Sequence, residues 1–255
     1  SSEELLDLKD DISFLFPKYS ITNTDSPNIR FQVVSVQEYP LIVDNSVPIL
    51  TPISIHQLRD KNISISKFSF PQYGYINLHL YQKKIAFSGF GSSKQRLKDM
   101  CYRMGAIVER AISPNTSILV SKTLRSEMAQ AALKFDVPIV QDRFISDLFQ
   151  SPIILNENDY KLKLFSGLVF TSSCCSKKEK ESISSYIVEN GGTFLNGLYS
   201  NTSIVVSKSN ANSYKLKEAI DMRKTIITDN LKEVYSSPEN LRVDTLPLLI
   251  PSDLF

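Results

Sequence analysis

Hydrophobic and polar positions along this chain run through one order twice. A short apolar run, Lys84–Phe87, reads as a buried strand and gives way to the small polar turn Ser88-Gly89-Phe90-Gly91. Apolar residues then recur at helical spacing (Leu97, Met100, Cys101, Met104), with Ser92 or Ser93 placed as the cap and Gly105 as a left-handed stop. A strand at Ser117–Val120, a helix bearing Ala129, Ala131 and Ala132, a strand at Pro138–Val140 and a helix over Asp142–Phe149 complete the unit. The order returns with a strand at Leu168–Phe170, Ser176 as a cap, a helix face of Ile183, Ile187 and Val188, and the stop Gly191-Gly192. It closes with Ile204–Val206, a helix over Lys215–Met222, a strand at Thr225–Ile227 and a helix over Asn230–Tyr235. Asn-Thr-Ser precedes the second strand in both copies. A period of ~80 residues is too long for a solenoid repeat and suits two small α/β domains in tandem.

What flanks the copies is less regular. Leu5, Leu6, Leu8, Ile12, Leu15 and Phe16 have the spacing of a short amphipathic helix. Residues 30–35 and 41–43 are strand-like, and Val47–Pro52 reads as a strand leading into a helix capped by Thr51 or Ser54. Residues 61–82, with Phe68, Phe70, Tyr73 and Tyr75, are expected to form an extended connector lying on the next domain. The linker 151–161 carries Ile153, Ile154 and Leu155, too apolar for a free tether, so the two copies are expected to pack rigidly. The tail 241–255 ends in an apolar strip through Leu254 and Phe255, able to cover an exposed edge. The expected division is therefore 1–82, 83–152, 162–240 and a tail 241–255.

Composition narrows the chemistry. A formal charge of +2 on 255 residues does not attract nucleic acid in bulk, so any phosphate contact rests on a local basic cluster. No apolar run approaches the ~20 residues of a membrane span. The chain opens Ser-Ser-Glu-Glu with no Met, as a fragment would. Cys101, Cys174 and Cys175 make neither a disulfide framework nor a zinc knuckle, and they suit a reducing compartment. With only His56 and His79 present, the Ser-Lys pairs at 121–122 and 207–208 lack a general base, so no enzyme is expected. Ser88-Gly-Phe-Gly is not a dinucleotide fingerprint, and neither cofactor nor metal is expected.

The series strand, hydroxyl-and-glycine turn, helix, glycine stop, strand, Asn-Thr-Ser, strand, Ala-bearing helix, strand, helix resembles the BRCT domain over about 83–150 and 162–236. The family's last helix usually carries a Trp, and this chain has none; Phe144 and Leu231 stand at that offset in both copies. The resemblance implies an α/β fold, with each domain a small parallel sheet flanked by helices. The leader is similar to the reduced BRCT-like domain that opens the N-terminal triple-BRCT modules of the topoisomerase-binding checkpoint scaffold and of the cytokinetic Rho exchange factor.

The resemblance also implies a phosphate pocket in each full copy: a hydroxyl at the end of the first strand, the next backbone N–H, and a Lys from the Ala-bearing helix. A phosphate dianion needs several short donors, one of them cationic. In the second copy the expected residues are Thr171, the N–H of Ser172, Lys215, and Lys178 as a second cation backed by Lys177. In the first copy Ser88 and Gly89 are present, but Met128 stands at the Lys position and donates nothing. Lys94 or Arg96 from the helix, or Lys122 or Arg125 from the preceding loop, would have to replace it. The leader has neither hydroxyl turn nor Lys. The implied function is a nuclear, non-catalytic scaffold in DNA-damage or replication checkpoint signalling that binds partners phosphorylated on Ser or Thr. The alternatives are a DNA-end or junction binder and an architectural array for an unmodified partner.

Overall fold

The computed structural model describes residues 8–15, 31–34, 48–63, 74–208, 212–228 and 231. The expected strand at 41–43, the aromatic positions 68, 70 and 73, the last helix beyond Leu231 and the tail lie outside these residues.

Both copies fold into small all-parallel sheets, as the twofold pattern requires. In the first, β4 (Lys84–Ser88), β5 (Ile107–Val108), β6 (Ile118–Ser121) and β7 (Ile139–Val140) lie in the order β5-β4-β6-β7. Helices α3 (Lys94–Arg103), α4 (Glu127–Lys134) and α5 (Asp142–Gln150) flank the sheet. In the second, β8 (Val169–Ser173), β9 (Thr193–Phe194), β10 (Ile204–Ser207) and β11 (Thr225–Thr228) lie in the equivalent order β9-β8-β10-β11. Helices α6 (Lys177–Glu189) and α7 (Tyr214–Asp221) flank it. Strands buried on both faces read as the short apolar runs seen in the sequence.

Alternation along each strand assigns the faces. Ile85, Phe87, Ile118 and Val120 pack under α3 and α5 with Leu97, Cys101, Phe144 and Leu148. Ala86, Leu119 and Ile139 face α4, whose Ala129 and Ala132 are fully buried. That thin alanine face admits the second copy. A single apolar cluster runs from these residues into Phe165, Phe170, Ile183, Ile187, Ile204 and Leu231. Phe144 and Leu231, the residues standing where a Trp was absent, are both buried plugs.

The linker is docked, as its apolar content suggests, though not through Ile153 and Ile154, which are both exposed. Leu155 and Tyr160 pack on the first copy instead. Tyr160 meets the Phe144 ring edge-on at 5.3 Å and donates to Asp147. Lys161 bridges antiparallel to Val140, and Leu162 donates to the Ile139 carbonyl.

The leader departs from expectation in its connector. Gly74–Tyr75 is not a loose extension but the third strand (β3) of a parallel sheet with β1 (Gln32–Val33) and β2 (Ile49–Leu50). Between β2 and β3 runs α2 (Pro52–Asp60), capped by a reciprocal Thr51–Ser54 box, so both cap candidates serve at once. The short α1 (Lys9–Leu15) is tied to α2 by buried Asp11, which pairs with His56 and Arg59. Residues 76–82 then lie along the first copy, as expected, with Ile76, Leu80 and Gln82 donating to the carbonyls of Arg103, Met104 and Gly105. No helix among the described residues is long and apolar enough to cross a membrane.

One glycine reports on the docking of the two copies. Gly167 has φ +75°, and a Cβ there would run into the Lys122 carbonyl of the first copy. Gly167→Ala is therefore expected to cost roughly 1–3 kcal/mol of stability, from the left-handed backbone and the blocked approach together. Urea unfolding of wild type and variant checks this; an unchanged midpoint would mean the copies do not press together there.

Candidate anion-binding site

Each copy ends its first strand at a hydroxyl, turns through a left-handed residue, and starts a helix. In the first copy these are Ser88 and Gly89 (φ +82°). In the second they are Ser173 and Cys174 (φ +55°). The equivalence is fixed by register, since Ser88 pairs with Ser121 and Ser173 with Ser207, each the last residue of its strand. A second contact repeats it. Ser88 donates to Ser126, the N-cap of α4, at 2.8 Å, and Ser173 shares a 2.8 Å hydrogen bond with Ser213, the N-cap of α7.

This corrects the sequence reading by two residues. Thr171 aligns with Ala86, is fully buried, and sits on the face of β8 covered by α7, where Val205, its register partner, packs on Leu216 and Ala219. Its hydroxyl has no hydrogen-bond partner among the described residues. No anion reaches it. Ser172 lies inside the strand, before its last residue, so its N–H is not the turn donor either. The strand was expected to end at Phe170 and runs three residues further, which carries the hydroxyl turn to Ser173-Cys174. The Cys174 N–H makes no hydrogen bond among the described residues.

Lys215 stands on the Ala-bearing helix. From the first turn of α7 its Nζ reaches back to the strand end and donates to the Ser172 and Asn196 carbonyls, at 2.9 Å each. An ammonium has three donors, which leaves the third for an incoming oxygen. Burial, then the neighbouring charge of Lys180, pushes its pKa below the usual lysine value, while Cys174 and Cys175 act the other way. Lys180, half-buried in α6, is thus a cation whose field reaches Lys215. Lys178 and Lys177 are exposed on the first turn of α6.

Glu179, one residue from Lys180, would repel an anion. It is instead neutralised by Lys208 at 2.8 Å and caps the Ser176 backbone N–H. The hydrogen bonds from Lys208 and from Ser176 hold its carboxyl down at about 2. The second copy thus brings a hydroxyl, a turn N–H and the Lys215 ammonium to one strand end, close to the start of α6.

The first copy is built alike but charged differently. Met128 is half-buried and packs into the cluster between the copies, so it is a core residue. Lys94 and Arg96 stand in the first turn of α3. The cation beside the turn is Lys122: its Cβ lies 3.5 Å from where a Cβ on Gly89 would be, and its Nζ stands over the Phe90 ring at 5.3 Å. Neither Ser92 nor Ser93 caps α3 with its side chain; Ser93 donates instead to the Phe90 carbonyl. Among the described residues no group of three or more His, Cys, Asp and Glu is placed to hold a metal ion.

An α/β pair whose repeated strand-end turns are latched to the next helix defines a class of tandem modular protein. The comparisons identify the family. Residues 161–230 match the model of the BRCA1 C Terminus (BRCT) domain, and residues 84–144 match that of the twin BRCT domain. The chain belongs to the tandem BRCT-domain proteins. No curated protein sequence matches it. Among solved structures it is similar to Rad4 BRCT1,2 in complex with a Crb2 phosphopeptide, at 14% identity and a TM-score of 0.52, covering 69% of this chain and 98% of that one. The same Rad4 region with a Mdb1 phosphopeptide gives 14% identity and a TM-score of 0.52, over 68% of this chain and 96% of that one. S. pombe Rad4 BRCT3,4 is 15% identical over 66% of this chain and 96% of that one, with a TM-score of only 0.29. At these identities the likeness establishes the fold.

The orphan hydroxyl offers a direct check on the register. Thr171→Val keeps the shape and removes an unsatisfied buried group, so it is expected to raise stability by on the order of 1 kcal/mol. Chemical unfolding reads this; a loss of stability would mean the Thr171 hydroxyl has a partner.

Proposed function

We propose that this chain is a non-catalytic scaffold that binds partner proteins phosphorylated on Ser or Thr, chiefly through its second BRCT domain. The observation that carries the reading is the convergence of Ser173, the Cys174 N–H and Lys215 at one strand end, with Lys180 as an electrostatic neighbour. A phosphate monoester offers three acceptor oxygens and close to two negative charges, and this site offers matching donors in a half-buried setting. The fold likeness to Rad4 BRCT1,2, whose structures hold phosphopeptides, supports it. The first domain and the leader are architectural in this reading: the first lacks the helix lysine and the leader lacks the turn. The family resemblance favours a nuclear role in DNA-damage or replication checkpoint signalling.

Capture on a random phosphoserine and phosphothreonine peptide library tests the reading, against the same library left unphosphorylated. Lys215→Met forfeits a charge-assisted hydrogen bond, on the order of 1.5–3 kcal/mol, and is expected to weaken capture by about ten- to a hundredfold. Ser173→Ala and Lys180→Met weaken it less, and Thr171→Val leaves it unchanged. Capture indifferent to phosphorylation would overturn the proposal. With a steep salt dependence it would point to nucleic acid, and without one to an unmodified partner.

A further inference from the structure

The stretch of chain after the second domain repeats the linker that follows the first. The linker carries Ser151-Pro152, Leu155, Tyr160 and Leu162; at the same spacings the tail carries Ser237-Pro238, Leu241, Leu246 and Leu248. In the first domain this segment is a strap across the outer edge of β7. Lys161 bridges antiparallel to Val140, the Gln141 N–H donates to the Tyr160 carbonyl at 3.0 Å, and the Leu162 N–H donates to the Ile139 carbonyl at 3.1 Å. Tyr160 also meets Phe144 and Asp147 of α5.

The second domain has the matching edge. β11 ends its sheet and pairs only with β10 among the described residues. Ile227 is the equivalent of Val140, since each pairs with the valine just before the serine that ends the neighbouring strand. Backbone groups alternate along a strand, so the Ile226 carbonyl and the Thr228 N–H point to the open side, as those of Ile139 and Gln141 do. An uncovered edge is a template for pairing with other chains. The residues that would meet across it change in step. Where the first domain sets Tyr160 against Phe144 and Asp147, the second has Leu246, Leu231 and Val234 at the same offsets, an apolar set in place of a hydrogen-bonded one. Pro247 falls at the position of Lys161, the one residue of the three whose N–H takes no part in the edge pairing.

We propose that the outer edge of β11 is a docking site for the chain's own tail, residues 241–248, which lie outside the described residues. The tail runs antiparallel to β11 with Pro247 opposite Ile227. The Thr228 N–H donates to the Leu246 carbonyl, and the Leu248 N–H donates to the Ile226 carbonyl. Leu246 lies over Leu231 and Val234. The strap closes the sheet edge from within the chain, and a partner strand joins this sheet only by displacing it.

Nuclear magnetic resonance on the whole chain tests this, with the Gln141 strap as the internal standard. In this non-hydrogen-bonded kind of antiparallel pair the opposed Cα atoms stand about 4.5 Å apart, so a strong Hα–Hα Overhauser contact is expected between Ile227 and Pro247. The Thr228 amide is expected to exchange with solvent as slowly as that of Gln141. Leu248→Pro removes the donor to the Ile226 carbonyl and is expected to speed exchange at Thr228 by about tenfold or more, with Gln141 unchanged. Free exchange at Thr228 in the unaltered chain would overturn the proposal, because the edge would then be open. Slow exchange without the Ile227–Pro247 contact would overturn it too, and slowing that grows with protein concentration would assign the edge to a second copy. Slow exchange that survives Leu248→Pro counts against the tail in the same way. Should that variant fail to fold, seen as fast exchange at Gln141 as well, the Ile227–Pro247 contact in the unaltered chain decides.

Discussion

A hydrogen bond between two hydroxyls, made once in each domain, sets the geometry on which the site depends. The end of the first strand is pinned to the N-cap of a helix that begins about forty residues later, at 2.8 Å in both copies. This contact fixes three things together: where the strand stops, where the left-handed turn presents its N–H, and where the first turn of the Ala-bearing helix stands over the strand end. In the second domain that first turn carries Lys215, so the latch delivers a cation to the hydroxyl. In the first domain the same latch delivers Met128, and the cation beside the turn comes from the preceding loop as Lys122. The same latch thus carries different side chains in the two domains, Met128 in one and Lys215 in the other.

The apolar seam explains why the domains differ. The first domain turns its α4 face toward its neighbour, so Ala129, Ala132 and Met128 are committed to packing. On the corresponding face of the second domain, α7 covers a cluster of Val205, Leu216, Ala219 and Ile226, separate from the seam among the described residues. Lysine is tolerated at the edge of that helix because its ammonium meets two carbonyls and stays partly solvated. A lysine in place of Met128 would have to enter the seam, at a desolvation cost that an apolar residue avoids.

Much of this was legible in the sequence. The twofold order of apolar runs, the glycine stops and the Ala-bearing helix gave both sheets and their flanking helices, because periodicity reports directly on burial. The Phe144 and Leu231 plugs followed from equal offsets. The hydroxyl turn was misplaced by two residues for a physical reason: Thr171, Ser172 and Ser173 are all small and polar, and composition cannot say which of them still belongs to a buried strand. The latch could have been found by asking which hydroxyl stands at the same distance from the helix cap in both copies, since Ser88 to Ser126 and Ser173 to Ser213 are nearly equal separations. The leader's third strand was missed because Gly74–Tyr75 is only two residues long and is defined by pairing with Ile49–Leu50, a long-range contact with no local signal.

In the proposed function, Ser173, Cys174 and Lys215 together form one anion site. Backbone amide chemical shifts, followed while a phosphoserine peptide is added, address it residue by residue. The largest movement is expected at the Cys174 amide, with Ser173 and the first turns of α6 and α7 following, and little at Gly89. Movement centred on Gly89 and Lys122 instead, or spread evenly over the lysine-bearing surface, would contradict the account.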